Sequence, residues 1–476
     1  MSRKRINKTE LGLKVIDINA KGMGVAKSED GAVYFIKNVL PGDIVDIRAY
    51  KKHKGYFEAE PIKWVTTSED RRDPPCEHFG ICGGCKWQHL SYEAQLKFKE
   101  KGVLHNLKHI GKSDPQEIIP ILGSENPYFY RNKMEFSFSN KRWLTSEEIS
   151  LEDTIERNGL GFHKPRMWDK IVDINKCHLQ ADPSNEIRNA IRGFAITNGF
   201  EFYDSREQRG FLRTLMIRNT TQGEVMVLIQ FFEEQTENIN LLLNYIKNSF
   251  SQVTSLLYCI NSKGNDSLYD QEILCFSGKT YITEQLNGLK FRITAKSFYQ
   301  TNPKQAASLY AIAKEFAQLK PQDTVYDLYT GTGTIALSLA KECEKIIGIE
   351  SVSEAIEAAQ ENAKLNSIEN ASFEVGDMKA CFNDDFIEKY GRADVVITDP
   401  PRDGMHKDVV AQLLKLSPKR IVYISCNSAT QARDLELMKD SYDLLKSQAV
   451  DMFPQTHHVE NIVLLQSKSI NEQDNN

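Results

Sequence analysis

From about residue 280 onward, short runs of apolar positions alternate with stretches whose apolar residues recur every three or four places. Thr324–Tyr329, Lys345–Ile349, Asp394–Thr398 and Arg420–Ser425 are short and apolar on both faces. That pattern predicts strands of a parallel sheet covered by helices on each side. Helices are expected at Pro303–Leu319 and Ile335–Lys341, and a further strand is expected to end at Asp377. Asn287-Gly288, between Thr280–Glu284 and Leu289–Thr294, is a hairpin signal. Tyr442–Phe453 and Asn461–Ser467 read as an antiparallel edge pair joined by Pro454-Gln455-Thr456-His457-His458-Val459-Glu460. The expected fold class of this half is α/β.

Upstream the periodicity is different. Leu13–Ile18, Ala32–Ile36 and Asp43–Tyr50 alternate apolar and polar residues and are interrupted by Gly22-Met23-Gly24, Asp30-Gly31 and Pro41-Gly42. These predict a small five-stranded barrel of the oligonucleotide-binding kind. Residues 66–75 are polar and end in proline, which suggests a linker. Ser91 caps an expected amphipathic helix over residues 91–110, with Leu96, Phe98, Val103, Leu104 and Leu107 on its apolar side. Between about 120 and 275 strand signals (Lys133–Ser139, Leu212–Arg218, Val225–Phe232) mix with helical ones (Asn185–Thr197, Glu237–Phe250), an α+β pattern. The polar tail Ser467–Asn476 is expected to be disordered.

A chain of 476 residues exceeds one ordinary core, so two to four domains are expected. With 41% hydrophobic and 26% charged residues it reads as globular, and no apolar run suits a membrane span or a secretory signal. Nine cysteines without such a signal point to a reducing cytoplasm and to metal-binding or catalytic thiols. The net charge of −5 is uneven, because residues 1–60 hold 12 Lys plus Arg against 8 Asp plus Glu. A basic module on an acidic body suggests a local polyanion-binding surface. Lys51, Lys52, His53, Lys54 and Tyr56 would suit phosphate contact and base stacking there, while Tyr130-Arg131-Asn132-Lys133, Arg213 and Arg218 are either phosphate contacts or structural.

Two cysteine patterns carry chemistry. Cys76, Cys82 and Cys85, interleaved with Gly80, Gly83 and Gly84, let the backbone curl so that thiolates converge, as zinc or an iron–sulfur cluster requires. Cys177 is the best candidate for a fourth ligand, and zinc held with Cys177 or His78 is the alternative. Cys259, Cys275, Cys343 and Cys381 read as packing residues. The second pattern is Cys426 at the end of the strand Arg420–Ser425, where open α/β sheets bind their ligands.

The first strand of that sheet runs into Asp327-Leu328-Tyr329-Thr330-Gly331-Thr332-Gly333-Thr334, and Glu350 stands 19 residues after Gly331, the spacing of an acid that takes ribose hydroxyls. Ala336 replaces the third glycine of a dinucleotide loop, so a phosphate-poor nucleoside cofactor fits better than NAD. Asp377 is placed to meet an adenine edge. Seven strands with a reversed last hairpin is the plan of class I S-adenosylmethionine-dependent methyltransferases. Such an enzyme needs a thiolate when the methyl acceptor is C5 of a pyrimidine, a carbon too weakly nucleophilic to react unaided. Cys426, Glu460 and Asp399 supply a nucleophile, a base and a group for the pyrimidine edge, and the helix after Ser428 would help ionise the thiol.

The motifs G-M-G-V-A-K, D-G-A-V-Y-F-I and L-P-G-D resemble a TRAM domain, an RNA-binding barrel. S-F-Y-Q-T-N, D-L-Y-T-G-T-G-T, D-P-P-R, S-C-N-S-A-T and M-F-P-Q-T-H-H-V-E follow in that order, and the chain is similar to the RNA 5-methyluridine methyltransferases over residues 10–466. Within these it most resembles the 23S rRNA (uracil-5-)-methyltransferases with a TRAM domain and an iron–sulfur cluster. The resemblance implies three domains: a TRAM barrel (1–65), a central α+β domain carrying the cluster (66–278) and a Rossmann-like methyltransferase domain (279–476). It places the helix at 91–110 against the catalytic domain. It implies that Cys426 is the nucleophile, Glu460 the base and Asp399 a cofactor or uracil-edge contact. Gln300, Tyr329, Thr334, Glu350 and Asp377 would hold S-adenosylmethionine, and Cys76, Cys82, Cys85 and Cys177 a 4Fe–4S cluster. Thr332 and Thr334 stand where relatives vary. The expected product is 5-methyluridine in 23S rRNA, made in the cytoplasm by a monomer. A tRNA methyltransferase and a non-catalytic iron–sulfur RNA-binding protein are the alternatives.

Overall fold

The structure, a computed structural model, describes residues 8–150 and 155–469. The tail expected to be disordered lies outside the described residues beyond 469, while Ser467 ends a strand. The chain divides into two compact units, one running to Gly102 and including Phe453–His458, the other comprising the rest.

The first unit holds a closed barrel of β1 (Lys8–Ile18), β2 (Gly24–Lys27), β3 (Val33–Ile36), β4 (Ile44–Lys52) and β5 (Phe57–Thr66), in the order β1-β2-β3-β5-β4. Leu13, Val15, Tyr34, Ile36, Val45 and Ile47 fill it from alternate positions, as the period-two pattern requires. The expected linker is bound to this barrel rather than loose. Asp43, fully buried after the turn Pro41-Gly42, accepts the Ser68 amide at 2.7 Å and the Leu40 amide at 2.7 Å, and pairs with Arg71.

In the second unit, β7 (Lys133–Ser139), β8 (Gly159–Lys164), β9 (Met167–Asp173), β10 (Leu212–Asn219), β11 (Val225–Phe231), β12 (Val253–Ile260) and β13 (Leu274–Gly278) form a seven-stranded sheet ordered β13-β12-β11-β10-β7-β8-β9. A separate hairpin, β14 (Tyr281–Leu286) and β15 (Leu289–Thr294), turns at Asn287-Gly288 with both residues in the left-handed region, as anticipated. The remaining sheet has eight strands. Its core is β16 (Thr324–Leu328), β17 (Lys345–Glu350), β18 (Ala371–Val375), β19 (Val395–Thr398) and β20 (Arg420–Ser425), all parallel. β21 (Tyr442–Val450) and β22 (Glu460–Ser467) complete the pattern, with β22 antiparallel to both its neighbours, and β6 (Glu117–Leu122) adds a parallel edge beside β21. The order β18-β17-β16-β19-β20-β22-β21-β6 reverses direction between β16 and β19. At such a switch point the helices leave to opposite faces and open a crevice at the strands' carboxyl ends.

The strands are buried on both faces: every residue of β16 and of β19 is buried. Val103 and Leu107, from the helix Tyr92–His109, join Tyr326, Ile421 and Ala432 in this core.

Candidate active site

The sheet's register assembles the site. Leu328 pairs with Ile349 on one side and Thr398 on the other, so the residues just beyond, Tyr329, Glu350 and Asp399, emerge at one rim. The Asp399 amide still donates to the Leu328 carbonyl at 3.3 Å. Across the β20–β22 pair Ser425 faces Asn461. One step further along that antiparallel register Cys426 comes opposite Glu460, and directly opposed residues have Cα atoms about 4.5–5.5 Å apart. The reversed last strand therefore delivers a carboxylate to the rim where a parallel strand delivers a thiol.

Their environment is electrostatically tight. Glu460 is 5% exposed, and burial followed by the Asp399 charge pushes its carboxyl well above the usual range. Asp399 is raised too, by burial and then by Asp327. The Cys426 thiol is pushed up to about 11 by burial and by the Glu460 and Asp399 charges. The expectation that the following helix would ease its ionisation is thus overridden by burial first and then by two neighbouring carboxylates. Arg402 acts in the opposite sense, chiefly through its charge. The last residue of D-P-P-R was not assigned a role from sequence, because only the fold brings it to the thiol. Asn427 Nδ2 and the Thr430 hydroxyl each donate to the Arg402 carbonyl at 3.0 Å, which ties that loop to the start of the helix Ser428–Met438.

A second group missed from sequence lies just beneath. Gln431 Nε2 donates to the carbonyls of Tyr423 at 2.9 Å and Asn461 at 3.2 Å, while Asn461 Nδ2 donates to Gln431 Oε1 at 2.8 Å. The Ser447 hydroxyl completes the set on Asn461 Oδ1 at 3.1 Å. Gln431 and Asn461 are fully buried. This reciprocal amide pair joins the helix that follows Cys426 to the residue that follows Glu460.

The cofactor side begins at Asp327, whose Oδ2 accepts the Thr330 hydroxyl at 2.5 Å and the Ala336 amide at 3.1 Å. Its Oδ1 is buried without a hydrogen-bond partner, and burial pushes the group up to about 7. Tyr329 and the two glycines that follow it, Gly331 and Gly333, adopt positive φ, and a Cβ on Gly331 would meet nothing within 4 Å. That leaves open space beside the backbone for a ligand to approach it. Glu350 Oε2 accepts the Gly331 amide at 3.2 Å, which sets the acid against the loop. The residues present thus fit a nucleoside cofactor, with an unsatisfied buried oxygen and an uncovered loop. Thr334 shares a hydrogen bond with Tyr310 at 3.2 Å, and Asp377, two residues past the end of β18, caps the turn Met378–Cys381 through the Lys379 and Ala380 amides. Gln300 is half-buried on the S-F-Y-Q-T-N loop, which touches the glycine loop where the Thr332 hydroxyl donates to the Phe298 carbonyl at 3.5 Å.

This loop is braced by the seven-stranded sheet. Asn132 donates its amide to the Thr301 carbonyl at 2.8 Å and its side chain to the Gln300 carbonyl at 3.1 Å, and Arg218 reaches the Ser297 carbonyl at 2.7 Å. Arg213 donates to the Asn261 and Lys263 carbonyls at 2.6 Å. Arg213 and Arg218, both buried, serve backbone carbonyls rather than phosphate.

The cysteine loop lies in the first unit. Gly80 and Gly83 take positive φ, and the Phe79 and Cys82 amides donate to the Cys76 and His78 carbonyls at 3.0 Å, so the backbone does curl. Cys177 belongs to the second unit. Among the described residues no three His, Cys, Asp or Glu side chains are arranged to hold a metal ion. Cys275, expected to be a packing residue, is exposed.

Comparison with known proteins decides the family. A model described as tRNA (Uracil-5-)-methyltransferase matches residues 219–468, and the TRAM domain model matches residues 7–62. The chain belongs to the tRNA (uracil-5-)-methyltransferase family. It is an S-adenosylmethionine-dependent RNA (uracil-5-)-methyltransferase with an N-terminal TRAM barrel. It is 50% identical over 451 residues to an uncharacterized RNA methyltransferase of Bacteroides thetaiotaomicron, covering 94% of this chain and 99% of that one. A relative from Chlorobaculum tepidum, also an uncharacterized RNA methyltransferase, is 38% identical, with 94% and 95% covered. Among solved structures it is similar to the Pyrococcus abyssi tRNA (uracil-54, C5)-methyltransferase in complex with S-adenosyl-L-homocysteine. That likeness has a TM-score of 0.73 and 28% identity, and covers 96% of this chain and all of the other. No described helix is long and apolar enough to cross a membrane.

Proposed function

We propose that this methyltransferase forms 5-methyluridine in 23S rRNA through a temporary bond between Cys426 and C6 of the uracil. The observation that carries the reading is the β20–β22 register, which sets Cys426 opposite Glu460 at the rim shared with the glycine loop. Tyr329, Thr334, Glu350, Asp377 and Gln300 would hold S-adenosylmethionine, which would supply an electrophilic methyl group. Cys426, as thiolate, adds to C6 and pushes electron density through C5 to the C4 oxygen. C5 would then be the nucleophile that takes the methyl as the sulfonium–methyl bond breaks and S-adenosyl-L-homocysteine leaves. Glu460 removes the proton left on C5, the electron pair re-forms the C5–C6 double bond, and the C6–sulfur bond breaks to return the thiolate. Asp399, raised by burial and by the Asp327 charge, contacts the uracil edge or the cofactor. Arg402 steadies the thiolate between additions.

The barrel and the C-x5-C-x2-C loop support rRNA by analogy; the likeness to a tRNA enzyme favours tRNA as the second reading. Labelled methyl transfer to 23S rRNA and to bulk tRNA, each lacking 5-methyluridine, separates them. Label confined to rRNA is expected, and label confined to tRNA would replace this reading with the second. We also propose that Cys76, Cys82 and Cys85 bind a 4Fe–4S cluster, and that residues 1–65, 66–278 and 279–476 act as RNA-binding, cluster-bearing and catalytic modules. Anaerobically purified protein should contain about four irons and absorb near 400 nm; colourless, zinc-loaded protein would overturn the cluster.

A further inference from the structure

Among the described residues two aromatic side chains sit on left-handed backbone: Tyr329 at the cofactor loop, with φ +67°, and Phe129, with φ +54°. For a bulky residue this conformation is an outlier that glycine would relieve, and such strain concentrates at working sites. Phe129 gains little burial in return, since it remains 46% exposed. The conformation is held from both sides. The Phe129 amide donates to the His178 carbonyl and the Arg131 amide to the Leu179 carbonyl, each at 2.8 Å. The ring leans on His178, with centroids 5.8 Å apart at 45°, and Tyr128 meets the same imidazole edge-on at 6.3 Å. Lys176 is exposed two residues before His178.

Its location ties this platform to the chemistry. Three residues further on, Asn132 holds the Gln300 and Thr301 carbonyls of the loop beside the glycine loop. Three residues of extended chain span at most about 11 Å, so the Phe129 backbone lies within that distance of Asn132, which holds this loop. We propose that Phe129, backed by His178, is a stacking site for an unpaired RNA base next to the target uridine. This rests on the RNA-methylation reading above. Extracting a uridine from its stack leaves its neighbours without one face covered, and an exposed aromatic supplies it.

The test is Phe129→Gly, which removes the ring and suits the backbone. An RNA hairpin that the wild type methylates is the probe. Stacking on an aromatic predicts a rise of about tenfold in RNA Kd and KM, with S-adenosyl-L-homocysteine affinity and Tm preserved and with Phe129→Trp close to wild type. Phe129→Asn, which also tolerates this backbone, gives the same readout if the glycine variant is poorly folded. RNA affinity and KM unchanged in the folded variants would overturn the stacking site alone. Failure of the wild type to methylate any RNA uridine would instead sink the functional reading.

Discussion

Cys426, the proposed nucleophile, is half-buried and flanked by Glu460 and Asp399, with Arg402 as the opposing charge. A thiol pushed up to about 11 is almost wholly protonated at neutral pH, so the thiolate fraction and the rate of adduct formation should climb about tenfold per pH unit from 7 to 9. Glu460, raised as well, must lose its proton to act, which moves the rate in the same direction. Single-turnover methylation at saturating cofactor should therefore rise steadily with pH. Arg402→Gln raises the thiol further, so the rate at pH 8 should drop by about 10–100-fold and the alkaline rise should shift upward. A variant with an unshifted pH profile would show that Arg402 does not act on the sulfur. Cys426→Ala should abolish methyl transfer while S-adenosyl-L-homocysteine binding, measured by calorimetry, stays within a factor of two or so of wild type.

At the level of elements, the site is a consequence of strand ends brought into register, and much of that was legible. Thr324–Leu328, Val395–Thr398 and Arg420–Ser425 announce themselves as doubly buried strands, and the residues after them are where such sheets work. Other parts left no local trace. β6 joins the catalytic sheet beside β21 from more than 300 residues away, and Pro120 within it is tolerated because the strand is an edge. Gln431 and Asn461 read as ordinary polar positions of a helix and a strand, since nothing local reveals that two buried amides will satisfy each other. Their pairing makes a specific prediction. Gln431→Leu removes the donor shared by the Tyr423 and Asn461 carbonyls and leaves Asn461 Nδ2 without its Gln431 acceptor, a buried polar loss of roughly 1–3 kcal/mol. It should lower Tm by several degrees and slow methyl transfer more than it weakens cofactor binding. Equal losses in both would mean that the pair holds the core and not the Cys426–Glu460 alignment.

For the whole molecule, charge and acid chemistry set the conditions of use. The barrel offers a stacked His53–Tyr56 pair with centroids 4.5 Å apart, and Phe35 lies 4.4 Å from Tyr56. Yet His53 and Lys51 both contact Glu58, so part of the basic cluster noted in the sequence is already neutralised. The catalytic sheet carries an opposite burden in Asp327, which titrates near 7 when folded and about 3.9 when unfolded. The folded state then binds the extra proton between these values, so stability falls as pH rises from about 4 to 7, by a few kcal/mol in order of magnitude. Asp327→Asn should flatten the dependence of Tm on pH in that window and raise Tm at pH 8, while cofactor binding weakens. A pH dependence identical to wild type would place the linkage elsewhere.

The bond between sulfur and uracil is the claim on which the rest depends, and 5-fluorouridine in the substrate RNA tests it most directly. Fluorine at C5 cannot leave as a proton does, so Glu460 has nothing to remove and the chain should stay joined to the RNA after methylation. Peptide mass mapping of the denaturation-resistant complex should find the nucleotide on Cys426, and Cys426→Ala should give no complex. Methylation of ordinary RNA by a protein that forms no such complex, or forms it at another residue, would contradict the account.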